Sequence, residues 1–182
     1  MRAFDDLIRQ GKVRSIGASN YTAWRLATPL WTSDTHGYAR YETLQPRYNL
    51  AARDEYEREW EPLCQEQGIG VITYSSLASG FFSGKYRAGQ PLPTTARTQS
   101  VQKGYMNEKG FAILDAVEHV AREQGAMPGQ VALAWILARP AVTAPIASAT
   151  TVEQTRELLG AADLHLSTEA LATLDAASAW RP

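Results

Sequence analysis

The chain has 182 residues, 45% of them hydrophobic, which suits one domain with an ordinary hydrophobic core. A formal net charge of -1 gives no general attraction to nucleic acid or an anionic membrane. The single cysteine, Cys64, excludes an intrachain disulfide and a cysteine cluster for zinc. No apolar run approaches the roughly 18 residues of a membrane-spanning helix, and the first residues do not resemble a secretory signal. We therefore expect a soluble, cytoplasmic protein that has no membrane partner and no nucleic-acid partner.

Short β-branched runs alternate with helical patterns along the chain. The predicted strands cover residues 13–18, 42–46, 70–74 and 141–146. The predicted helices cover residues 3–10, 22–33, 54–67, 107–124, 128–138 and 151–160, and Ser167 caps one more. Such alternation predicts a parallel sheet with crossover helices, in either a doubly wound or a barrel arrangement. A G-x-G-x-x-G motif is absent, which counts against a Rossmann fold.

The stretch from Val71 to Tyr86 is the first candidate for a ligand site. A buried strand ends there on Tyr74 and passes into a loop of hydroxyl side chains and glycines. The loop could offer donors to an anion, with Lys85 adding charge, and the Tyr74 ring offers a stacking surface. It continues to about residue 106, which is long enough for a lid or a binding loop. An ordinary surface loop is the alternative, so the residues at the other strand ends must decide between a ligand site and a surface loop.

Polar side chains also follow the other three strands. Ser19, Asn20 and Gln45 supply the donors and acceptors that pair with a carboxamide. After the last strand, a helix N-terminus at Thr151 favours anions such as phosphate. Each of these features could instead be only a helix cap or a polar loop residue. Together, the four strand ends show the chemistry of one ligand, a nicotinamide dinucleotide.

Four segments resemble the C-terminal half of an aldo-keto reductase in their order and spacing. They are Gly11–Asn20, Leu44–Leu50, Tyr74–Tyr86 and Ala144–Gln154. The resemblance covers nearly the whole chain and implies an α/β fold, the C-terminal half of a TIM-type (β/α)8 barrel. It predicts one partial domain over residues 1–182, with about four βα units and extra C-terminal helices. It also implies reduction of an aldehyde or ketone by hydride transfer from NADP(H), with NAD(H) not excluded, and it implies no metal.

The resemblance assigns roles to individual residues. It implies that Ser19, Asn20 and Gln45 bind the nicotinamide carboxamide and that Tyr74 stacks on its ring. The pyrophosphate is expected to contact Ser75, Leu77, Gly80 and Lys85. The adenosine 2′-phosphate end is expected to contact Ser148, Thr150 and Gln154. Many family members carry an Arg or Lys near Thr150 and an Asn near Leu158. Neither is present here, which weakens the expected preference for NADPH over NADH.

The family's catalytic tyrosine, aspartate, lysine and histidine come from its first four strands, which would precede Met1. We therefore expect no catalytic residue in this chain. The available histidines fall in predicted helices or linkers and do not replace the missing one: His36, His119 and His165. Tyr48 and Tyr86 are possible stand-ins for the proton donor.

A half-barrel is expected to expose two strand edges and an apolar inner face. Because water penalises such exposure, we predict self-association or an N-terminal half-barrel partner. A noncatalytic dinucleotide-binding regulatory subunit and a truncated remnant remain as alternatives to an enzyme.

Overall fold

The computed structural model describes residues 1–180, in which four parallel strands form one sheet. The strands lie side by side in chain order: β1 (Ile16–Ser19), β2 (Tyr41–Gln45), β3 (Gly70–Thr73) and β4 (Val142–Pro145). A doubly wound sheet reverses its strand order at a switch point, whereas successive strands of a barrel are neighbours throughout. The sheet is therefore a barrel segment. All four predicted strands are confirmed, with ends that differ by a few residues.

Within this described part, eight α-helices accompany the strands. They are α1 (Arg2–Arg9), α2 (Ala23–His36), α3 (Glu61–Gln67), α4 (Thr98–Gly104), α5 (Glu108–Gln124), α6 (Pro128–Leu137), α7 (Val152–Leu159) and α8 (Thr168–Ala177). The predicted caps Thr151 and Ser167, and also Asn107, each accept a hydrogen bond from a backbone N–H of the following helix. No helix among residues 1–180 is long and apolar enough to cross a membrane.

Two local features differ from the sequence prediction. The segment predicted as a long loop contains a 3₁₀ segment, Ala78–Ser83, which is kinked at Ser79 and Gly80, and the helix α4. The α4 segment buries only Val101, so its sequence shows no apolar periodicity. A π-helical turn, Tyr56–Trp60, precedes α3, where an ordinary helix was predicted. Periodicity over so few residues does not separate a π turn from an α turn.

The helices cover one face of the sheet. Ala18 pairs in register with Leu44, which pairs with Val71, and all three side chains are buried. Neighbouring positions on a strand point to opposite faces, and Gly17 and Ser19, on either side of Ala18, are exposed. A helix layer on one face with an open opposite face is what part of a (β/α) barrel requires.

The open face of the sheet is mostly small and polar. Ser19 and Thr143 are exposed there, and Thr43 and Ile72 are half-buried. A Cβ added to Gly17 would collide with the Thr43 hydroxyl, so glycine permits this packing. Apart from Ile72, the positions named here are small or polar, so the predicted apolar inner face is wrong for them. The buried row of Ala18, Leu44 and Val71 points toward the helices instead.

A charged cluster fastens the C-terminal region to the segment that follows β2. The Glu57 carboxylate accepts hydrogen bonds from Arg53 Nε at 2.6 Å, the Tyr48 hydroxyl at 2.7 Å and Trp180 Nε1 at 2.6 Å. Arg53 also lies 3.2 Å from the Asp175 carboxylate of α8. Burial alone would raise the pKa of Glu57, but the hydrogen bonds from Arg53, Trp180 and Tyr48 bring this pKa below its ordinary value. The cluster thus holds a charged carboxylate in a largely buried position.

Candidate functional site

The carboxyl ends of the four strands lie at one edge of the sheet, where a groove of about 870 Å³ opens. Its walls are the loops that follow β3 and β4, together with the start of α7. Most of the predicted site residues line it: Tyr74, Ser75, Leu77, Gly80, Lys85, Ser148, Thr150 and Gln154. Residues that follow β3 and residues that follow β4, which are far apart in the sequence, therefore meet in one cavity.

The other predicted residues lie at the ends of β1 and β2. The Ser19 hydroxyl donates to the backbone carbonyl of Gln45 at 2.9 Å, which joins these two strand ends. The Tyr74 hydroxyl donates to Asn20 Oδ1 at 3.1 Å. Tyr74 lines the groove and thus connects it directly to the end of β1.

The loop after β3 is held in an unusual backbone conformation. Ser75, Ala78 and Ser79 have φ values of 57°, 51° and 59°, a region that L-residues other than glycine rarely adopt. Gly80 follows with φ 91°. Asn49 stabilises the turn by donating from Nδ2 to the Ser75 carbonyl at 2.9 Å. Backbone strain of this kind persists only where surrounding contacts fix it, and it clusters at ligand sites.

Two cations line the groove, and one of them was not foreseen. Lys85 was predicted, whereas Arg97, immediately before α4, was not. Arg97 Nη2 lies 3.5 Å from the Ser148 hydroxyl, so the β3–α4 connection reaches across to the loop after β4. Glu157 also lines the groove. A lone arginine in a loop rich in glycine and proline carries no sequence signal of such a position.

The start of α7 forms the far end of the groove. Thr151 caps the helix by accepting from the Gln154 N–H, and Gln154 Oε1 in turn accepts from the Thr150 N–H at 2.9 Å. This reciprocal arrangement resembles a capping box, except that the Thr150 N–H takes the place of the N–H of the cap residue itself. Backbone hydrogen bonding at the helix start and the Thr151 hydroxyl lower the pKa of Glu153. The helix end therefore favours negative charge.

The possible stand-ins for a proton donor do not face the groove. Tyr48 and Tyr86 are fully buried. Burial, and next the charge of Glu57, raise the pKa of Tyr48 well above that of an ordinary phenol. The Tyr86 hydroxyl lies 3.5 Å from Thr95 Oγ1. The interpretation of these two tyrosines as proton donors is therefore wrong.

The histidines lie outside the groove lining and on the surface: His36, His119 and His165. His36 stacks on Tyr38, and His119 lies 3.4 Å from Glu123 on the same helix. Their surroundings are those of ordinary surface histidines.

The chemistry of the site changes along its length. Side-chain amides and an aromatic ring stand at the β1–β2 end. In the order of the strands, serine hydroxyls and Lys85 follow β3, and Ser148 and the α7 N-terminus follow β4, with Arg97 beside Ser148. This order fits an elongated ligand with an amide-bearing ring at one end and anionic groups along the rest.

Comparison with known proteins identifies relatives along nearly the whole chain. The sequence profile of the Aldo/keto reductase family matches residues 1–179. The uncharacterized oxidoreductase YrpG of Bacillus subtilis (strain 168) is 34% identical over 173 residues, which cover 95% of this chain and 51% of that protein. Versiconal hemiacetal acetate reductase of Aspergillus parasiticus is 32% identical over 177 residues, covering 96% and 51%. A putative voltage-gated potassium channel subunit beta of Schizosaccharomyces pombe is 33% identical over 184 residues, covering 96% and 53%.

A solved structure agrees with the fold. The thermostable aldo-keto reductase Tm1743, crystallised with the inhibitor epalrestat, aligns with a TM-score of 0.73 and 28% identity over 97% of this chain and 53% of that chain. The chain thus spans about half the length of the relatives it matches. Its parallel βα units form half of a TIM-type barrel, and the chain belongs to the aldo/keto reductase family of oxidoreductases.

Proposed function

We propose that this chain binds NAD(P)H and forms the cofactor-holding half of an enzyme that reduces an aldehyde or ketone. The observation that carries the proposal is the groove in which Tyr74, Lys85 and Ser148 meet. A bound nicotinamide would supply the hydride, and the residues of this chain would bind and orient it. The donor set fits such a cofactor, because it combines amides, an aromatic ring, hydroxyls and cations in a fixed order.

The nicotinamide end of the cofactor is proposed to lie over the ends of β1 and β2. Ser19, Asn20 and Gln45 carry the hydroxyl and amide groups that a carboxamide can pair with. Tyr74 would stack on the ring, since its side chain lies between the groove and Asn20. These contacts would fix which face of the ring points toward the substrate.

The phosphate-bearing part is proposed to follow the rest of the groove. Ser75, Leu77, Gly80 and Lys85 would line the pyrophosphate, and Ser148, Thr150 and Gln154 would line the adenosine end. Arg97 adds a guanidinium 3.5 Å from Ser148. A guanidinium suits a phosphate monoester better than a ribose hydroxyl. This contact supports NADP(H) over NAD(H), although the Arg or Lys near Thr150 is missing.

Reduction of a carbonyl also needs a proton donor, and among the described residues that line the groove the only tyrosine is Tyr74. Tyr74 is assigned to stacking, and the other candidate tyrosines are buried. We infer that the proton donor comes from outside these 182 residues. The isolated chain should therefore bind cofactor and turn over little substrate. A cytoplasmic location stays a prediction of the sequence.

The strands at the two ends of the sheet support a requirement for further structure. β1 and β4 each pair with one neighbour in the described sheet, so each leaves a row of backbone groups open. We propose that a matching half-barrel or a second copy of this chain covers these edges. If a second copy covers the edges, size-exclusion chromatography with light scattering should give a mass above that of one chain. A stable monomer at micromolar concentration would count against a second copy.

A noncatalytic regulatory subunit is the second candidate. The similarity to a putative potassium channel subunit beta favours it. Both candidates predict binding of a dinucleotide. They differ when the missing half is supplied, because only the enzyme then reduces an aldehyde.

The direct test is titration of the purified chain with NADPH, followed by calorimetry and by NADPH fluorescence. Circular dichroism with a cooperative unfolding transition first establishes that the sample is folded. Saturable binding that weakens in Lys85→Ala is expected, with Lys103→Ala, an exposed lysine outside the groove lining, as the control. A folded chain that binds neither NADPH nor NADH would refute the proposal.

A further inference from the structure

The side chain of Tyr74 spans the ends of three strands. Tyr74 follows β3 and Asn20 follows β1, with β2 between these strands. The Tyr74 hydroxyl nevertheless donates to Asn20 Oδ1 at 3.1 Å. Neighbouring strands are about 4.8 Å apart, so the ring must extend across the end of β2, where Gln45 lies. The Tyr74 side chain is therefore fixed by its Cα at the end of β3 and by its hydroxyl at the end of β1.

The backbone conformation is fixed at both residues of this hydrogen bond, Tyr74 and Asn20. The Tyr74 N–H donates to the Pro46 carbonyl at 2.9 Å, and the Tyr48 N–H donates to the Tyr74 carbonyl at 3.3 Å. Asn20 has φ 56°, a left-handed conformation that asparagine tolerates better than most residues. The Tyr74 hydroxyl occupies the carbonyl side of the Asn20 amide, which directs the NH₂ donor elsewhere.

We infer that the Tyr74 hydroxyl is a positioning group: by holding the Asn20 amide it sets the donor that recognises the carboxamide of the ligand. The inference rests on the proposed function and goes beyond stacking, since stacking needs only the ring. A phenylalanine at this position keeps the ring and loses the hydrogen bond to Asn20. The two roles can therefore be separated by removing one oxygen atom.

The test compares two ligands that differ only at the nicotinamide end. NADP⁺ carries the nicotinamide, and 2′-phospho-ADP-ribose lacks it. Calorimetry is performed with the full chain, with Tyr74→Phe, with Asn20→Gly and with the double variant. Glycine is chosen at position 20 because it tolerates the positive φ of Asn20. Tyr38→Phe is the matched control, since Tyr38 stacks on His36 outside the groove lining. Thermal unfolding of each variant reports on its folding.

Tyr74→Phe should weaken NADP⁺ binding about fivefold, the effect of one neutral hydrogen bond, and leave 2′-phospho-ADP-ribose binding unchanged. In the Asn20→Gly background, Tyr74→Phe should cause no further loss of NADP⁺ affinity, because the hydrogen-bond partner of the Tyr74 hydroxyl is already absent. Asn20→Gly removes the amide donor together with this bond, so it serves only as the background of the double variant. Tyr74→Trp, which keeps an aromatic ring and also lacks the phenol oxygen, keeps the inference testable if Tyr74→Phe does not fold.

Unchanged NADP⁺ affinity in Tyr74→Phe would overturn the inference. Equal losses for the two ligands would do so as well, since they would indicate a general structural effect, and so would additive losses in the double variant. A folded wild-type chain that binds neither ligand would refute the proposed function itself.

Discussion

Replacing Glu57 with glutamine tests whether the charged cluster stabilises the fold. The carboxylate accepts from Arg53, Tyr48 and Trp180, and the side chains of Glu57 and Arg53 are each 11% exposed. Glutamine keeps the size but removes the charge and turns an NH₂ group toward these donors. Breaking a buried ion pair costs about 3–5 kcal/mol, and Asp175 still lies 3.2 Å from Arg53. We therefore expect a loss near the lower limit, about 3 kcal/mol.

Urea denaturation followed by circular dichroism measures this loss, with Glu59→Gln as the matched control. Glu59 pairs with Arg58 at 3.7 Å, and its side chain is 48% exposed. That variant should lose less than about 1 kcal/mol, as is usual for surface pairs. If Glu57→Gln lost no more than Glu59→Gln, the buried cluster would not stabilise the fold and the reasoning would be refuted.

The lowered pKa of Glu57 fixes the pH dependence of the same comparison. A carboxyl group whose pKa is lower in the folded state contributes stability that is fully present above its unfolded pKa, about 4.3 for glutamate. This contribution is lost as the pH falls through the folded value. The stability difference between the wild type and Glu57→Gln should thus be constant near neutrality and shrink below about pH 4. A difference that grew on acidification would contradict the assigned direction.

Three further outcomes are expected. Arg97→Ala should weaken NADP⁺ binding about tenfold and NAD⁺ binding less than about twofold in calorimetry, since a charge-assisted hydrogen bond contributes roughly 1.5–3 kcal/mol; equal losses would argue against a contact with the 2′-phosphate. Burial, and then Glu61, raise the pKa of Cys64 to about 12, so a disulfide reagent at pH 8 should label this thiol only after urea unfolding, and rapid labelling of the native chain would contradict its burial. Asn107→Ala should cost about 1 kcal/mol in urea denaturation because the cap of α5 accepts from Gly110 N–H at 2.9 Å; no change would show that another group replaces the cap.

The parts of the fold that could be predicted are those with a local signal. The apolar periodicity of residues 107–124 predicts a long helix, and α5 is found there, from Glu108 to Gln124. The predicted cap Ser167 likewise accepts a hydrogen bond at the start of α8. The β-branched run before Tyr74 likewise indicated β3. In each case a few adjacent residues specify the structure, so one sequence is enough.

The parts that could not be predicted depend on contacts between distant residues. The contact of Arg97 with Ser148 joins positions 51 residues apart, and the bond from Tyr74 to Asn20 joins positions 54 apart. Strand order and register create both contacts, and neither is encoded in a short segment. The positive φ of Ser75 has the same origin, because the bond from Asn49 to its carbonyl, rather than a glycine, holds the turn.

The residues on the open face of the sheet determine how much stability the fold loses when that face is not covered. The exposed positions there include Gly17, Ser19 and Thr143, so leaving these positions uncovered sacrifices little apolar burial, and Ile72 is the half-buried apolar residue beside them. The buried row Ala18, Leu44 and Val71 points instead to the helices, where the main apolar contacts form within the chain. Covering the edges of β1 and β4 would therefore add mainly backbone hydrogen bonds, each with a modest net effect in water. Because loops of this chain enclose the groove, we expect the groove to form without a closed barrel.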